Sequence, residues 1–316
     1  MPLEREISYY LVFKLAIKPM NTTYEPFSDR PEYKKVNHDF LSSILSFDQL
    51  SGKPFRVLDL ACGTGTLDDI LFDILPNARI IGVDISRESL DIGRERYSRL
   101  GLLESSSSCL LDLNKNQGAI YFMEISADDI SFASGTFDLV MMGNSIHMLP
   151  DKPRLLRLVA NVLKSDGLFL FNTAFFNGTY PVGTEYIYTE WIKSSLEYIE
   201  EVNQRLRHNG DNVIKRSRVK GNKAFDKGWL SPLEWCEILD SVGFETFHVT
   251  TREMQWTQET FETVGSYSGF AEVMMSGYPI DIACESLAQG AKAAFEKSNV
   301  TSVPRLWLEV AAKLRK

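Results

Sequence analysis

Two closely spaced glycines and an aspartate about twenty residues later are the residues of this chain best placed to hold a ligand. In VLDLACGTG (residues 57–65) an apolar run ends and turns through Gly63 and Gly65. Glycines permit backbone conformations and a close ligand approach that a side chain would block. A helix starting near Thr66 would aim its free amides at the same ligand. Asp84 closes the next apolar run, where a carboxylate can accept both hydroxyls of a ribose. These features describe a site for an adenosine. The turn continues as GTGTLD, with Asp68 where a dinucleotide site places its third glycine, and there is no Walker lysine, so a P-loop is excluded.

Proton chemistry has few candidates, because the chain holds only four histidines. His147, in GNSIHMLP, follows an apolar run at the mouth of the expected site and is the candidate general base. The competing reading makes it a structural residue leading into the next helix. His38 and His208 sit in polar stretches, and His248 alternates with Phe247 and Val249 as a packed strand residue would. No metal is expected: a metal-assisted transfer needs clustered carboxylates where this chain offers MMGN and FNTAFFN.

Short apolar runs alternate with helical patterns from residue 52 onward, the signature of parallel βαβ units. The runs are FRVLDLA (55–61), RIIGVDI (79–85), AIYFMEI (119–125), FDLVMMG (137–143) and LFLFNTAF (168–175). Helices are expected over 67–75, over 87–100 behind Ser86 as N-cap, and over 152–163 behind Asp151. The sheet pattern then stops. Residues 183–207 read as one long helix, 231–243 as a helix with Pro232 at its first position, and ETFHVTT (245–251) as a strand. YYLVFKLAI (9–17) reads as a packing helix too short to span a bilayer, and SSSSC (105–109) as loop.

VLDLACGTG, IGVDIS, SADDISF and FDLVMMGNSIHMLPD, taken together and in this order, resemble the class I S-adenosylmethionine-dependent methyltransferase family, of the small-molecule type. The resemblance covers residues 54–175, is suggestive over 231–251 and 303–314, and fails in between. It implies a Rossmann-like, doubly wound α/β fold of seven strands with an antiparallel last strand, so LWLEVAAKL is read as strand. It also implies that Asp59, Ala61, Cys62, Gly63 and Gly65 lie beside the methionine part of the cofactor. Asp84 would take the ribose hydroxyls and Ile85 the adenine face. SADDISF stands where the family has its adenine-edge segment, with Ser126 in place of an aspartate and Ala127 and Asp128 retained, so Ser126 or Asp128 meets the adenine amino group. Asn144 and Ser145 would face the methionine ammonium.

The implied organisation is an N-terminal helical segment (1–51), a cofactor-binding core (52–175), a helical cap insertion (176–230), a return to the core (231–254), a second cap insertion (255–302) and the last core strand (303–316). Both insertions are rich in aromatics. Phe175, Tyr186, Trp191, Tyr267 and Met274 are the candidates for an apolar or aromatic acceptor pocket, against the plainer reading of helix packing. Tyr24 and Tyr33 are weaker candidates, over the cofactor mouth. A basic stretch, Lys215, Arg216, Arg218, Lys220, Lys223 and Lys227, reads as a solvated loop or a lid.

Composition bounds the function. The net charge of −8 repels polyanions, so nucleic acid is excluded as a first choice of partner. Four scattered cysteines without a CxxC pair indicate neither a disulfide framework nor a zinc site and fit a cytoplasmic setting. The expected activity is methyl transfer from S-adenosylmethionine to the oxygen, nitrogen or carbon of a small, partly apolar or aromatic molecule. Stable membrane insertion is not expected, whereas a homodimer through the cap is. The alternatives are a noncatalytic cofactor-binding or partner-binding protein, or a protein methyltransferase.

Overall fold

The computed structural model describes residues 23–45, 55–110, 117–217 and 229–315. The packing helix expected over 9–17 and four of the basic residues (Arg218, Lys220, Lys223 and Lys227) lie outside them. Two N-terminal helices, α1 (Glu25–Ser28) and α2 (Pro31–Ile44), precede the sheet. The core then alternates: β1 (Phe55–Leu60), α3 (Thr66–Ile74), β2 (Ala78–Asp84), α4 (Arg87–Arg99), β3 (Ala119–Glu124), β4 (Phe137–Gly143), α5 (Lys152–Val162) and β5 (Leu163–Thr173). The long α6 (Glu185–His208) and α7 (Pro232–Ser241) follow, then β6 (Phe244–Thr257), α8 (Gln258–Gly265), α9 (Ser268–Met274), α10 (Ile280–Ser298) and β7 (Ser302–Leu314).

The seven strands form one sheet in the order β3-β2-β1-β4-β5-β7-β6. The pairs β1–β2, β1–β4, β2–β3 and β4–β5 are parallel, and β7 runs antiparallel to both neighbours. This is the expected Rossmann-like sheet, with the order reversing between β1 and β4, where such sheets bind ligands. Side-chain alternation sends Leu58, Val83, Val140 and Phe171 to one face, against Leu155, Val159 and Trp235. Val57, Ile80, Leu139 and Leu170 go to the other face, against Phe40, Leu71 and Tyr97. Burial on both faces is why the strands read as continuous apolar runs rather than alternating ones.

Local signals set the helix starts. Ser86 accepts from the amide of Ser89, Asp151 from that of Arg154, and Ser231 forms a capping box with Glu234. A third core joins α1 and α2 to the cap, through Phe27, Trp191, Phe261, Leu287 and Trp307.

Some boundaries differ from the patterning. β6 runs on through Thr257, which pairs with Ser302, so residues 255–257 are sheet rather than cap and β7 starts one residue early. β5 begins at Leu163, since Leu163 pairs with Phe137 across an irregularity that the polar residues 164–166 hid from the apolar pattern. Residues expected as loop at 105–109 include a short 3-10 turn, Ser107–Leu110.

Candidate cofactor and active site

Beyond β1 the chain takes left-handed backbone angles at Ala61 (φ 55°), Gly63 (φ 58°) and Gly65 (φ 80°). The two glycines serve different ends. A Cβ on Gly63 would meet no atom within 4 Å, whereas one on Gly65 would sit 2.8 Å from the Tyr97 ring. Gly63 lines the cavity above the turn; Gly65 lies beneath, closing the turn onto α4, and does not line it. The Tyr97 hydroxyl donates to the Gly65 carbonyl at 2.7 Å and fixes that closure.

The Asp84 carboxylate ties the turn to β2. Its Oδ2 accepts from the Gly63 amide at 2.8 Å and its Oδ1 from the Ser86 amide at 2.7 Å. Burial raises its pKa, and the amides of Ser86, Gly63 and Ile85 oppose the shift. Each oxygen retains a lone pair for a further donor. Next to it Ile85 is 73% exposed at the rim of the cavity. An exposed apolar side chain beside a pinned carboxylate suits a planar base attached to a ribose.

The cavity, of about 370 Å³, is also lined by Asp59, Ala61, Cys62, Ser126, Ala127, Asn144 and Ser145. Asp128 stands behind it: the Ser126 hydroxyl donates to Asp128 Oδ1 at 2.5 Å, and Arg154 donates to the Asp128 carbonyl. Asn144 has a left-handed backbone (φ 44°) and pins three segments. Its Nδ2 donates to the Tyr24 hydroxyl, its Oδ1 accepts from the Ala174 amide, and its amide donates to the Asn172 side chain. Tyr24 and Tyr33 line the cavity from the N-terminal segment.

His147 sits in a short turn after β4, lining the same cavity, with Nδ1 3.0 Å from the Thr173 hydroxyl and its ring 4.2 Å from that of Phe175. Burial, then the charges of Lys152 and Arg305, hold its pKa down at about 3. The imidazole is therefore neutral at neutral pH and weakly basic. Of the other histidines, His248 packs near Phe40 and lies 3.8 Å from buried Glu309, away from the cavity.

Two of the five acceptor candidates, Phe175 and Tyr267, line the cavity. Trp191, Tyr186 and Met274 do not, which corrects their expected placement. Trp191 is core: its indole donates to the Leu287 carbonyl at 2.7 Å, and its ring stacks on Phe270. Tyr186 and Met274 are exposed on the outside of the cap. Phe270 of α9, one of the second insertion's aromatics, lines the cavity, and so does Glu272, which patterning did not single out because it cannot tell which face of a helix meets a distant sheet. Arg305 on β7 also had no linear signal. It is 2% exposed inside an aromatic cage of Phe175, Tyr180, Tyr188 and Trp256, and donates twice to the Ala174 carbonyl. Among the described residues no three His, Cys, Asp or Glu side chains cluster as a metal site would, and no helix is long and apolar enough to cross a membrane.

Comparison with known proteins matches residues 58–171 to the methyltransferase domain family. A demethylmenaquinone methyltransferase of Symbiobacterium thermophilum is 35% identical over 149 residues, which are 42% of this chain and 53% of that one. A malonyl-[acyl-carrier protein] O-methyltransferase of Acetivibrio thermocellus is 25% identical over 142 residues, 45% of this chain and 44% of that one. The chain thus spans about half the length of the curated relatives it matches. The crystal structure of the [4+2]-cyclase SpnF shares the fold, with a TM-score of 0.50 at 15% identity over 89% of this chain and 81% of that one. The matched stretch runs from β1 into β5 and contains the glycine turn, Asp84, the Ser126 segment and His147, so the core of this chain is similar to a methyltransferase domain over residues 58–171.

Proposed function

We propose that this protein transfers a methyl group from S-adenosylmethionine to a small, partly apolar or aromatic molecule. One observation carries the reading: a single cavity joins the Asp84 and Asp59 side of the turn to His147, Phe175, Tyr267 and Phe270. A methyl donor and its acceptor must meet in line within such a space, shielded from water. When bound, the cofactor supplies an electrophilic methyl group on a sulfonium. Asp84 would accept from the ribose hydroxyls, Ile85 would cover the adenine, and Ser126 and Ala127 would meet its edge. Asp59, Ala61, Cys62, Gly63, Asn144 and Ser145 would surround the methionine part.

The acceptor end is aromatic, and its wall is rigid. Arg305, Asn144 and Thr173 hold the backbone of Ala174 and Phe175 from three sides. His147, whose ring lies 4.2 Å from that of Phe175, is the proton acceptor we place at this wall, and its low basicity suits it to orienting an acceptor that is already nucleophilic. We take residues 176–230 and 258–301 as the cap that selects this acceptor. The acidic charge and the cysteine pattern support a cytoplasmic location and a partner other than nucleic acid. Exposed Val182, Tyr186 and Leu196 support a homodimer through the cap, which sedimentation would detect.

The test is incubation with methyl-labelled S-adenosylmethionine and a panel of phenols, amines and fatty or polyketide acids. A labelled small molecule is the expected product. Label only on protein would favour the protein methyltransferase, and tight cofactor binding with no transfer to any class would favour the noncatalytic alternative.

A further inference from the structure

Asp59 and Asp68 form a buried pair of acids that the glycine turn alone does not require. Asp59 lies on β1, its side chain on the same face as Val57, toward the layer that contains α3, and Asp68 projects from the first turn of α3. They are 1% and 0% exposed. The two carboxyls are within hydrogen-bonding reach of each other. No N–H or O–H of the described residues donates to any of their four oxygens. Two ionised carboxylates in that arrangement would repel each other with no donor to compensate. A proton between them removes both costs.

The surroundings make the pair asymmetric. Asp59 lines the cavity and faces Tyr33 of α2, Cys62 of the turn and Asp84 of β2. Asp68 does not line it; it faces Cys62, Asp69 on its own helix, and Arg96 and Tyr97 of α4. Arg96 is engaged elsewhere, bound to Asp69 at 2.9 Å and to Glu25. Asp84 opposes ionisation of Asp59 and Arg96 favours it at Asp68, so it is a cation in the cavity, which Asp59 lines and Asp68 does not, that draws the charge to Asp59 and leaves the proton on Asp68.

We infer that Asp68 is a positioning residue: at neutral pH it keeps its proton and donates a hydrogen bond to Asp59, fixing the carboxylate that receives the ammonium at the methionine end of the cofactor. The inference rests on the cofactor reading above. Burial raises the pKa of both acids. A group whose folded-state pKa is raised lends stability that is full below its unfolded pKa and is lost as pH rises toward the folded value. An asparagine at this position donates a hydrogen bond without needing a proton.

The experiment has two arms, calorimetric titration and thermal unfolding, on wild type, Asp68→Asn and Asp68→Leu. The titrants are S-adenosylhomocysteine, which carries the ammonium, and 5′-methylthioadenosine, which lacks the amino-acid end. Asp68→Asn is expected to bind S-adenosylhomocysteine within about threefold of wild type, and Asp68→Leu about tenfold or more weakly, both binding methylthioadenosine nearly as wild type does. In the unfolding arm, Asp68→Asn should gain on wild type as pH rises from about 5 to about 8. An Asn variant as weak as the Leu variant, an equal loss for both titrants, or a pH-independent stability difference would each overturn the inference. Absence of binding by the wild type would instead overturn the cofactor reading, and the unfolding arm, which also stands if the Leu variant does not fold, would still report on the shared proton.

Discussion

Replacing Asp84 with alanine separates the two tasks the structure gives this carboxylate. It holds the turn by accepting from the Gly63 and Ser86 amides, at 2.8 and 2.7 Å, and its remaining lone pairs face the cavity. Hydrogen bonds to a charged acceptor are worth about 1.5–3 kcal/mol each when buried. Here the freed amides border a cavity that water can enter, so about 1 kcal/mol each is the working value, or about 2 kcal/mol of stability in all. That is a fraction of the stability of an ordinary domain, so the variant should remain folded. Loss of two ribose hydroxyl contacts should cost about 3 kcal/mol of cofactor affinity, roughly a hundredfold. Urea unfolding gives the first quantity and calorimetric titration with S-adenosylhomocysteine the second. Unchanged affinity in a folded Asp84→Ala protein would refute the ribose assignment, and a stability loss below about 0.5 kcal/mol would refute the tie to the turn.

The two glycines should trade effects: Gly63→Ala costs about 1 kcal/mol of stability from backbone strain but reduces cofactor affinity, whereas Gly65→Ala costs about 2–4 kcal/mol because its Cβ also meets the Tyr97 ring. Thermal melts and titrations on both variants check this crossover. With His147 held at about 3, its folded-state pKa is depressed, so the stability it permits is present above its unfolded pKa of about 6.5 and is lost as pH falls toward 3. Between about pH 6.5 and pH 5 the loss is about 2 kcal/mol, and His147→Gln should abolish it in urea titrations across that range. Arg305→Met removes both donors from the Ala174 carbonyl and should cost about 2 kcal/mol, read by urea unfolding. An unchanged midpoint would show that burying the guanidinium offsets its contacts.

The sequence determined this protein's sheet and half its site. Apolar runs of strand length between capped helices are visible in the sequence because burial on both faces makes the strands apolar throughout; β1 to β4 stand where the pattern puts them, and β5 starts five residues before its apolar run. Gly63 and Asp84 were legible for a related reason: they occupy the carboxyl ends of those strands, and the topology converges strand ends on one place; Ile85 and the Ser126 segment were read from the family resemblance, and they line the same cavity. The acceptor side was not legible. Trp191 and Phe270 both sit in aromatic-rich helical stretches, yet one is core and the other lines the cavity, since only the docking of the cap on the sheet chooses the face. Arg305 reaches Phe175 from 130 residues along the chain, through the β5–β7 pairing. Asp68 looked like a missing glycine, and only the fold gave it Asp59 as a neighbour. Local periodicity records which way a side chain points from its own element; what it meets there depends on which element packs opposite, and that is decided by tertiary structure.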